Sequence, residues 1–147
     1  MKYVILSMHK SGSTLVAKTL HDSGINMIDY KVTSENYIDN KYERKDIHEL
    51  ILKYLDVKNI HSSRVVPPFS KKKEVLKEFK KKFEEYDKIY VKWGFKDPRT
   101  IFIYNDIKKI LQEHKVIFVY RKAKGTLSNY LREIGRASCR ERVCHRV

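Results

Sequence analysis

The chain opens with the stretch Tyr3-Val4-Ile5-Leu6-Ser7-Met8-His9-Lys10-Ser11-Gly12-Ser13-Thr14-Leu15, in which an apolar run is followed by a polar turn and a helix-like segment. Residues 3–6 are β-branched or apolar and too few for a helix, so they predict a buried strand. Helical spacing predicts a helix over residues 13–23, which Gly24 ends. The turn between them directs backbone N–H groups and the positive end of a helix dipole at one point. The stretch therefore predicts an anion site, most often for phosphate, and Lys10 adds a mobile positive charge.

Length and composition indicate about one domain with a strongly basic surface. The 147 residues include 32 Lys+Arg against 18 Asp+Glu, a formal net charge of +14. Such a charge attracts nucleotides, nucleic acid, sulfated sugars and acidic membranes alike. No apolar run reaches about 18 residues and no signal-peptide pattern is present, so we expect a soluble, cytoplasmic protein. The two cysteines, Cys139 and Cys144, support neither a disulfide framework nor a zinc site.

Residues 135–147 differ in composition from the rest of the chain. They contain four Arg and no Lys, whereas the preceding residues use Lys far more than Arg. We interpret residues 135–147 as a non-native or disordered basic tail; the alternative is a native tail that binds nucleic acid. The folded body is then residues 1–134, which stay strongly basic without the tail.

Beyond the first helix, apolar periodicity predicts further helices and strands. The helices are expected at residues 46–55, with Asp46 as cap, at 70–87, with Ser70 as cap, at 100–113 and at 123–133, and the strands at 88–93 and 116–120. On the first helix, Leu15, Val16 and Leu20 are expected to face inward. The lysines of residues 70–87 could form a nucleic-acid or membrane patch, but we favour a solvated helix face. Strands joined by helical crossovers predict an α/β fold with a parallel sheet flanked by helices.

Three polar turns follow the three predicted strands, at residues 9–14, 96–99 and 121–124. The carboxyl ends of parallel strands lie at one edge of a sheet, where ligands bind, so we expect the three turns to lie along that edge. The first turn is not a complete Walker A loop, because no earlier glycine has the required spacing and Lys10 precedes Gly12. A conventional P-loop ATPase is therefore disfavoured.

Together and in this order, the turns resemble motifs of the sulfotransferase family of bacterial type, whose donor is 3′-phosphoadenosine 5′-phosphosulfate (PAPS). Residues 8–15 resemble the loop that binds the 5′-phosphosulfate. Residues 93–100 are similar to a Lys-Asp-Pro-Arg turn of bacterial members. Residues 118–121, with Ser128 in the following helix, are similar to the segment that binds the 3′-phosphate. Three ordered matches are more specific than any one of them.

The resemblance covers residues 2–133 and departs from the family pattern in two ways. Arg121 and Ser128 are seven positions apart where the family usually has eight, so Asn129 competes with Ser128 for this role. In addition, the family's domain continues well beyond this point. The resemblance implies a three-layer fold like that of P-loop NTPases, of which residues 1–134 form an N-terminal, incomplete part.

The resemblance also implies roles for individual residues. Sulfuryl transfer depends on positioning and on neutralising charge at the leaving oxygens, which Lys or Arg can do without a metal. Lys10 is the candidate that stabilises the leaving phosphate, and His9 is a candidate general base. The donor-binding candidates are Lys10, Ser11, Gly12, Ser13 and Thr14 at the 5′-phosphate and Arg121 and Ser128 at the 3′-phosphate. Lys96 and Arg99 are further pocket candidates, unless Asp97 simply pairs with one of them.

We therefore expect an enzyme that moves a sulfuryl group from PAPS, without a metal, to a hydroxyl or amine of a carbohydrate or small molecule, although the truncated chain could be inactive. One alternative is a nucleotide kinase or similar phosphotransferase with a variant phosphate loop, but no acidic residue stands as a convincing magnesium ligand at a strand end. Another is a basic module that binds nucleic acid or another polyanion, which would leave the three turns unexplained. We accordingly expect no nucleic-acid partner.

Overall fold

The computed structural model describes residues 1–28, 42–56, 72–125, 127, 128 and 131. Within these ranges the elements are strand β1 (Lys2–Ser7), helices α1 (Ser13–Asp22), α2 (Lys45–Tyr54) and α3 (Lys72–Ile89), strand β2 (Trp93–Lys96), helix α4 (Thr100–Leu111) and strand β3 (Lys115–Val119). Residues 123–125, 127, 128 and 131 are also helical, as expected there. The cap Ser70 and the tail at 135–147 lie outside the described residues. None of the described helices combines the length and apolar character needed to cross a membrane.

The three strands form one parallel sheet in the order β2-β1-β3. β1 is central, since Ile5 aligns with Lys96 of β2 on one side and with Ile117 of β3 on the other. Parallel strands require crossover connections; α1, α2 and α3 lie between β1 and β2 in the chain, and α4 lies between β2 and β3. The expected α/β fold with a parallel sheet flanked by helices is confirmed.

Apolar side chains cover both faces of the sheet and form two clusters. The larger cluster joins the sheet to α2, α3 and α4, and the smaller one joins it to α1. The buried members are Val4, Leu6, Ile47, Ile51, Tyr54, Leu55, Val75, Phe79, Phe83, Tyr86, Trp93, Phe95, Ile103, Ile107 and Leu111 in the larger cluster and Ile5, Ala17, Ile25 and Met27 in the smaller. The apolar periodicity that predicts α2, α3 and α4 also marks their buried faces, since these helices supply most residues of the larger cluster.

The strand expected at residues 88–93 is wrong in position, because β2 is Trp93–Lys96. Ile89 still belongs to α3, and Val91 is 87% exposed. Every residue of β2, in contrast, is buried. Burial beside the central strand therefore outweighs the local β-branched pattern. One consequence is that Lys96 is the last residue of a strand and not the first residue of a turn.

The expected inner face of α1 is only partly correct. Val16 and Leu20 pack against the smaller cluster, but Leu15 is 70% exposed. The buried positions of this helix are Ser13 and Ala17. These two residues are four positions apart and so lie on one face, where their small side chains let the helix approach the sheet.

Asp46 does not cap α2 as expected, because the helix begins one residue earlier, at Lys45. The Asp46 carboxylate lies in the first turn, where it accepts hydrogen bonds from the N–H of Ile47 at 2.8 Å and from the hydroxyl of Tyr86. The bond to Tyr86 joins α2 to α3. A negative charge in the first turn also interacts favourably with the helix dipole.

Arg44 is a buried cation that fixes the chain just before α2. Its Nε donates to Gly94 O at 2.9 Å, and its Nη2 donates to Asn26 O at 2.9 Å. The guanidinium carbon lies 4.2 Å from the centre of the Tyr86 ring, which is a cation–π arrangement. These contacts hold the segment before α2 against β2 and place the neighbouring Glu43 beside the sheet edge.

Candidate anion-binding site

Residues of all three polar turns meet in one cleft at the carboxyl edge of the sheet. The cleft has a volume of about 300 Å³. Its lining residues are His9, Lys10, Gly12, Ser13 and Thr14 from the first turn, Glu43 from the segment before α2, Lys96 and Pro98 from the end of β2 and its turn, and Arg121 from the turn after β3. The structure thus brings the three turns together, as the sequence predicts. Each turn or strand end contributes one cation to the lining, namely Lys10, Lys96 or Arg121.

The loop between β1 and α1 has the backbone geometry of an anion cradle. Lys10 and Gly12 adopt left-handed conformations, with φ of 62° and 94°. Gly12 is the N-cap of α1, and the first turn receives no hydrogen bond from a capping side chain. The first-turn N–H groups, which include those of Ser13 and Thr14, therefore lie at the cleft together with the positive end of the helix dipole.

Lys96 is the buried last residue of β2, and its side chain reaches the start of α1. Its Nζ is 2.6 Å from Glu43 Oε1 and 3.5 Å from Thr14 Oγ1. The side chain of Lys96 is 2% exposed and that of Glu43 is 10% exposed. A buried ammonium requires a hydrogen-bonded partner of opposite charge, and Glu43 provides it in this structure.

Arg121 lies in the turn after β3 and is exposed to solvent along one side of the cleft. Its side chain passes close to Gly125 in the helical stretch that follows. A Cβ atom added to Gly125 would lie 2.7 Å from the Nε of Arg121 and 3.4 Å from its Cζ. Gly125 therefore leaves the space that the Arg121 guanidinium occupies.

Asp97 and Arg99 of the middle turn are buried and are not among the residues that line the cleft. Asp97 binds His48 Nδ1 at 2.6 Å and accepts the backbone N–H of Arg99 at 2.8 Å, while Nη1 of Arg99 lies 3.3 Å from its Oδ1. Burial opposes ionisation of Asp97, but hydrogen bonds from His48 and Arg99 and the positive charge of Arg99 outweigh it and hold the pKa of Asp97 below its ordinary value. Of the two pocket candidates, Lys96 lines the cleft and Arg99 pairs with Asp97.

The remaining predicted residues differ in their placement. His9 is half-buried and lines the cleft. The hydroxyl of Ser11 is buried and has no hydrogen-bond partner among the described residues. Ser128 is helical and exposed, and it is not among the lining residues, whereas its competitor Asn129 lies outside the described residues. The roles of these residues at the 5′- and 3′-phosphates stay predictions.

Sequence patterns did not identify two residues that lie at or beside the cleft, Glu43 and His48. Glu43 lies in a polar stretch without periodicity, so nothing local singles it out. His48 lies on the buried face of α2. A histidine within an apolar stripe is the one sequence feature that could have indicated its buried polar contact. Its partner Asp97 is 49 positions away, and no local pattern connects the two.

Glu43, His48 and Asp97 each bring one ligand atom to within 4.8 Å of the others. Such oxygen and nitrogen donors can bind a divalent cation. Here, however, Glu43 is paired with Lys96 and Asp97 is paired with Arg99, so both carboxylates are already neutralised. We interpret the group as a buried ion-pair network that supports the wall of the cleft.

The cleft combines backbone N–H groups at a helix start, three cationic side chains and one carboxylate. This combination suits a ligand with several negatively charged oxygens. No family model, curated protein or solved structure matches the chain. A functional hypothesis for this protein therefore rests on its sequence motifs and on the geometry of the cleft.

Proposed function

We propose that the protein is a sulfotransferase that moves a sulfuryl group from PAPS to a hydroxyl or amine of a carbohydrate or small molecule. The observation that supports this most is the convergence of the three motif-bearing turns on one cleft. These turns are far apart along the chain and resemble three separate parts of one donor site. On this proposal the observed three-stranded sheet is the N-terminal part of a P-loop-NTPase-like sulfotransferase fold.

The charges of the cleft suit this donor, which is anionic at its 5′- and 3′-positions. The loop after β1 offers N–H groups and Lys10 to the 5′-phosphosulfate. Arg121 offers a planar guanidinium suited to bidentate contact with the 3′-phosphate. Both cations line the cleft. Holding the nucleotide at two anionic groups fixes its orientation, which is the main requirement for group transfer between oxygens.

In the proposed reaction the bond between sulfur and the bridging oxygen of the 5′-phosphate breaks, while a bond forms between sulfur and the acceptor oxygen or nitrogen. Negative charge accumulates on the departing phosphate oxygen, where Lys10 and the first-turn N–H groups of α1 stabilise it. The acceptor proton passes to a base, for which the half-buried His9 is the candidate. The residues act by positioning and by charge, as in phosphoryl transfer.

Calorimetric titration of the 147-residue protein with 3′-phosphoadenosine 5′-phosphate tests the proposal. We expect binding in the presence of EDTA, and a loss of affinity of about tenfold or more in Lys10→Ala and in Arg121→Ala. Two matched controls remove the same charge elsewhere: Lys77→Ala on the exposed side of α3 and Lys122→Ala next to Arg121. Failure of the folded protein to bind, or binding that neither cleft substitution weakens, would rule the proposal out.

The same titrations separate the two alternatives. A phosphotransferase predicts ATP binding that depends on magnesium. A polyanion-binding module predicts affinity spread over many lysines and a steep dependence on salt. The described part of α3 does not offer a uniformly basic face for such a module, because Lys82 pairs with Glu85 at 2.6 Å and Lys53 of α2 pairs with Glu78 at 2.6 Å.

A further inference from the structure

We infer that Glu43 is a built-in counter-anion of Lys96, which an anionic ligand has to displace, and that Glu43 thereby sets the affinity and charge selectivity of the cleft. The inference rests on the proposed function only in that the cleft binds an anion. It does not depend on which nucleotide, if any, is the ligand.

Lys96 and Glu43 form a buried ion pair. Lys96 is 2% exposed and Glu43 is 10% exposed, with 2.6 Å between Nζ and Oε1. A lysine buried to this extent is costly without a compensating charge. Glu43 therefore supplies the counter-charge of Lys96 in this structure.

Lys96 lies next to both Glu43 and the start of α1, where an anion would bind. Its Nζ lies 3.5 Å from Thr14 Oγ1, at the start of α1, where the backbone N–H groups attract an anion. Glu43 lines the same cleft. An incoming anion therefore meets the negative charge of Glu43 and competes with it for the Lys96 ammonium.

The backbone next to Glu43 is held in place by the hydrogen bonds of Arg44. The next residue, Arg44, is 1% exposed and donates to Gly94 O and Asn26 O at 2.9 Å each. Because Gly94 belongs to the strand that ends at Lys96, these bonds hold the backbone next to Glu43 against that strand. Only the Glu43 side chain is left to move, and its departure from Lys96 requires a ligand that replaces its charge.

Selectivity between anions follows from this competition. A ligand with several charged oxygens can replace Glu43 at Lys96 and still contact the other cations of the cleft, whereas a compact dianion has fewer oxygens with which to compensate. We expect wild-type protein to bind pyrophosphate more tightly than sulfate. Removing the Glu43 charge should strengthen the binding of both anions and reduce the difference between them.

The test is a calorimetric titration with pyrophosphate and with sulfate. Glu43→Gln keeps a hydrogen-bond acceptor for Lys96 and removes the charge, so we expect pyrophosphate affinity to rise about tenfold. Glu49→Gln makes the same change in net charge at an exposed position of α2. The affinity of this control variant for pyrophosphate should differ from that of the wild type by less than about twofold. When Lys96→Gln is already present, adding Glu43→Gln should no longer raise the affinity for pyrophosphate, because Lys96 is the group for which Glu43 and the anion compete.

Each outcome decides the inference. A weaker affinity in Glu43→Gln would show that Glu43 positions Lys96 for the ligand, and an effect equal to that of Glu49→Gln would show a general charge effect; either result overturns it. If Glu43→Gln does not fold, as judged by circular dichroism, Glu43→Asp replaces it in the test. The shorter side chain keeps the charge but weakens the contact with Lys96, so pyrophosphate should bind more tightly than to the wild type. Unchanged or weaker pyrophosphate binding then overturns the inference. If pyrophosphate behaves as expected but 3′-phosphoadenosine 5′-phosphate does not bind, the proposed donor alone is wrong.

Discussion

The imidazole of His48 and the carboxylate of Asp97 form a buried pair, with 2.6 Å between Nδ1 and Oδ2. This contact ties α2 to the turn that follows β2. Because Asp97 directly follows Lys96, the pair also fixes the strand end from which the buried lysine enters the cleft. The His48–Asp97 pair is therefore a structural support of the site and not part of its lining.

Asp97→Asn is expected to lower the free energy of unfolding at neutral pH by about 3 kcal/mol, because it removes one member of a buried charged network. The folded pKa of Asp97 lies below its ordinary value. The ionised carboxylate therefore stabilises the fold above about pH 4, and this contribution is lost as the pH falls through the folded pKa. The difference between variant and wild type should shrink in acid, which urea unfolding at a series of pH values measures.

Asp22→Asn on α1 is the control, because its partner Lys18 is half-exposed and the pair lies on the surface. Surface ion pairs contribute little to stability, so the free energy of unfolding of this variant should equal that of the wild type at each pH. If the free energy of unfolding of Asp97→Asn stays below that of the wild type by the same amount at every pH down to strong acid, the lowered pKa of Asp97 is contradicted.

Gly94→Ala tests the close approach of β2 to β1. A Cβ at this position would lie 2.6 Å from the backbone oxygen of Tyr3 and 2.8 Å from the sulfur of Met27. We expect a loss of about 2 to 3 kcal/mol in the free energy of unfolding. Gly24→Ala separates this from backbone strain, since Gly24 has φ +87° and no atom within 4 Å of a Cβ, and it should lose only about 1 kcal/mol. Equal losses in the two variants would argue against the steric contact.

Gly125→Ala is expected to move the Arg121 side chain without unfolding the protein, because the atom it meets is at the flexible end of that side chain. On the proposed function, affinity for 3′-phosphoadenosine 5′-phosphate should fall by about three- to tenfold, with an unchanged melting temperature. In an Arg121→Ala background the substitution should have no further effect, since the displaced group is absent. Additive losses in this double-mutant cycle would show that Gly125 acts by another route.

Arg44→Lys keeps the charge at a buried position but loses the planar fork that bonds to Gly94 and Asn26. We expect a loss of about 2 kcal/mol in the free energy of unfolding, because a lysine cannot reproduce both directed hydrogen bonds. The control is the reverse exchange at the adjacent exposed position, Lys45→Arg, which should leave stability unchanged. Thermal and urea unfolding compare the three proteins, and an Arg44→Lys variant as stable as the wild type would show that the charge alone is sufficient.

The sequence predicts the long helices of this fold better than its shortest strand. The helix expected at 100–113 is α4, Thr100–Leu111, because an apolar stripe repeated over three turns identifies both the helix and its buried face. β2 has only four residues, and they are buried because β1 lies beside them. Local β-propensity indicated its exposed neighbours instead, since propensity carries no information about a partner some 90 positions away.

The same distinction applies to the cleft. Lys10 and Arg121 could be placed at one edge from the sequence, because each follows a strand and parallel strands end at the same edge. Glu43 could not, because its partner Lys96 is 53 positions away and no periodicity surrounds it. Contacts that depend on topology alone were predictable here, whereas contacts that depend on side-chain pairing between distant segments were not.

The central position of β1 makes it a topological switch point of the sheet. The chain leaves β1 into α1 on one face, whereas α4, which follows β2, packs on the opposite face. Diverging connections of this kind open a crevice between adjacent strand ends whatever side chains the loops carry. The path of the backbone thus provides the crevice, and the turn residues decide which ion enters it. Replacing the three turns on this sheet would change the ligand and leave a crevice in place.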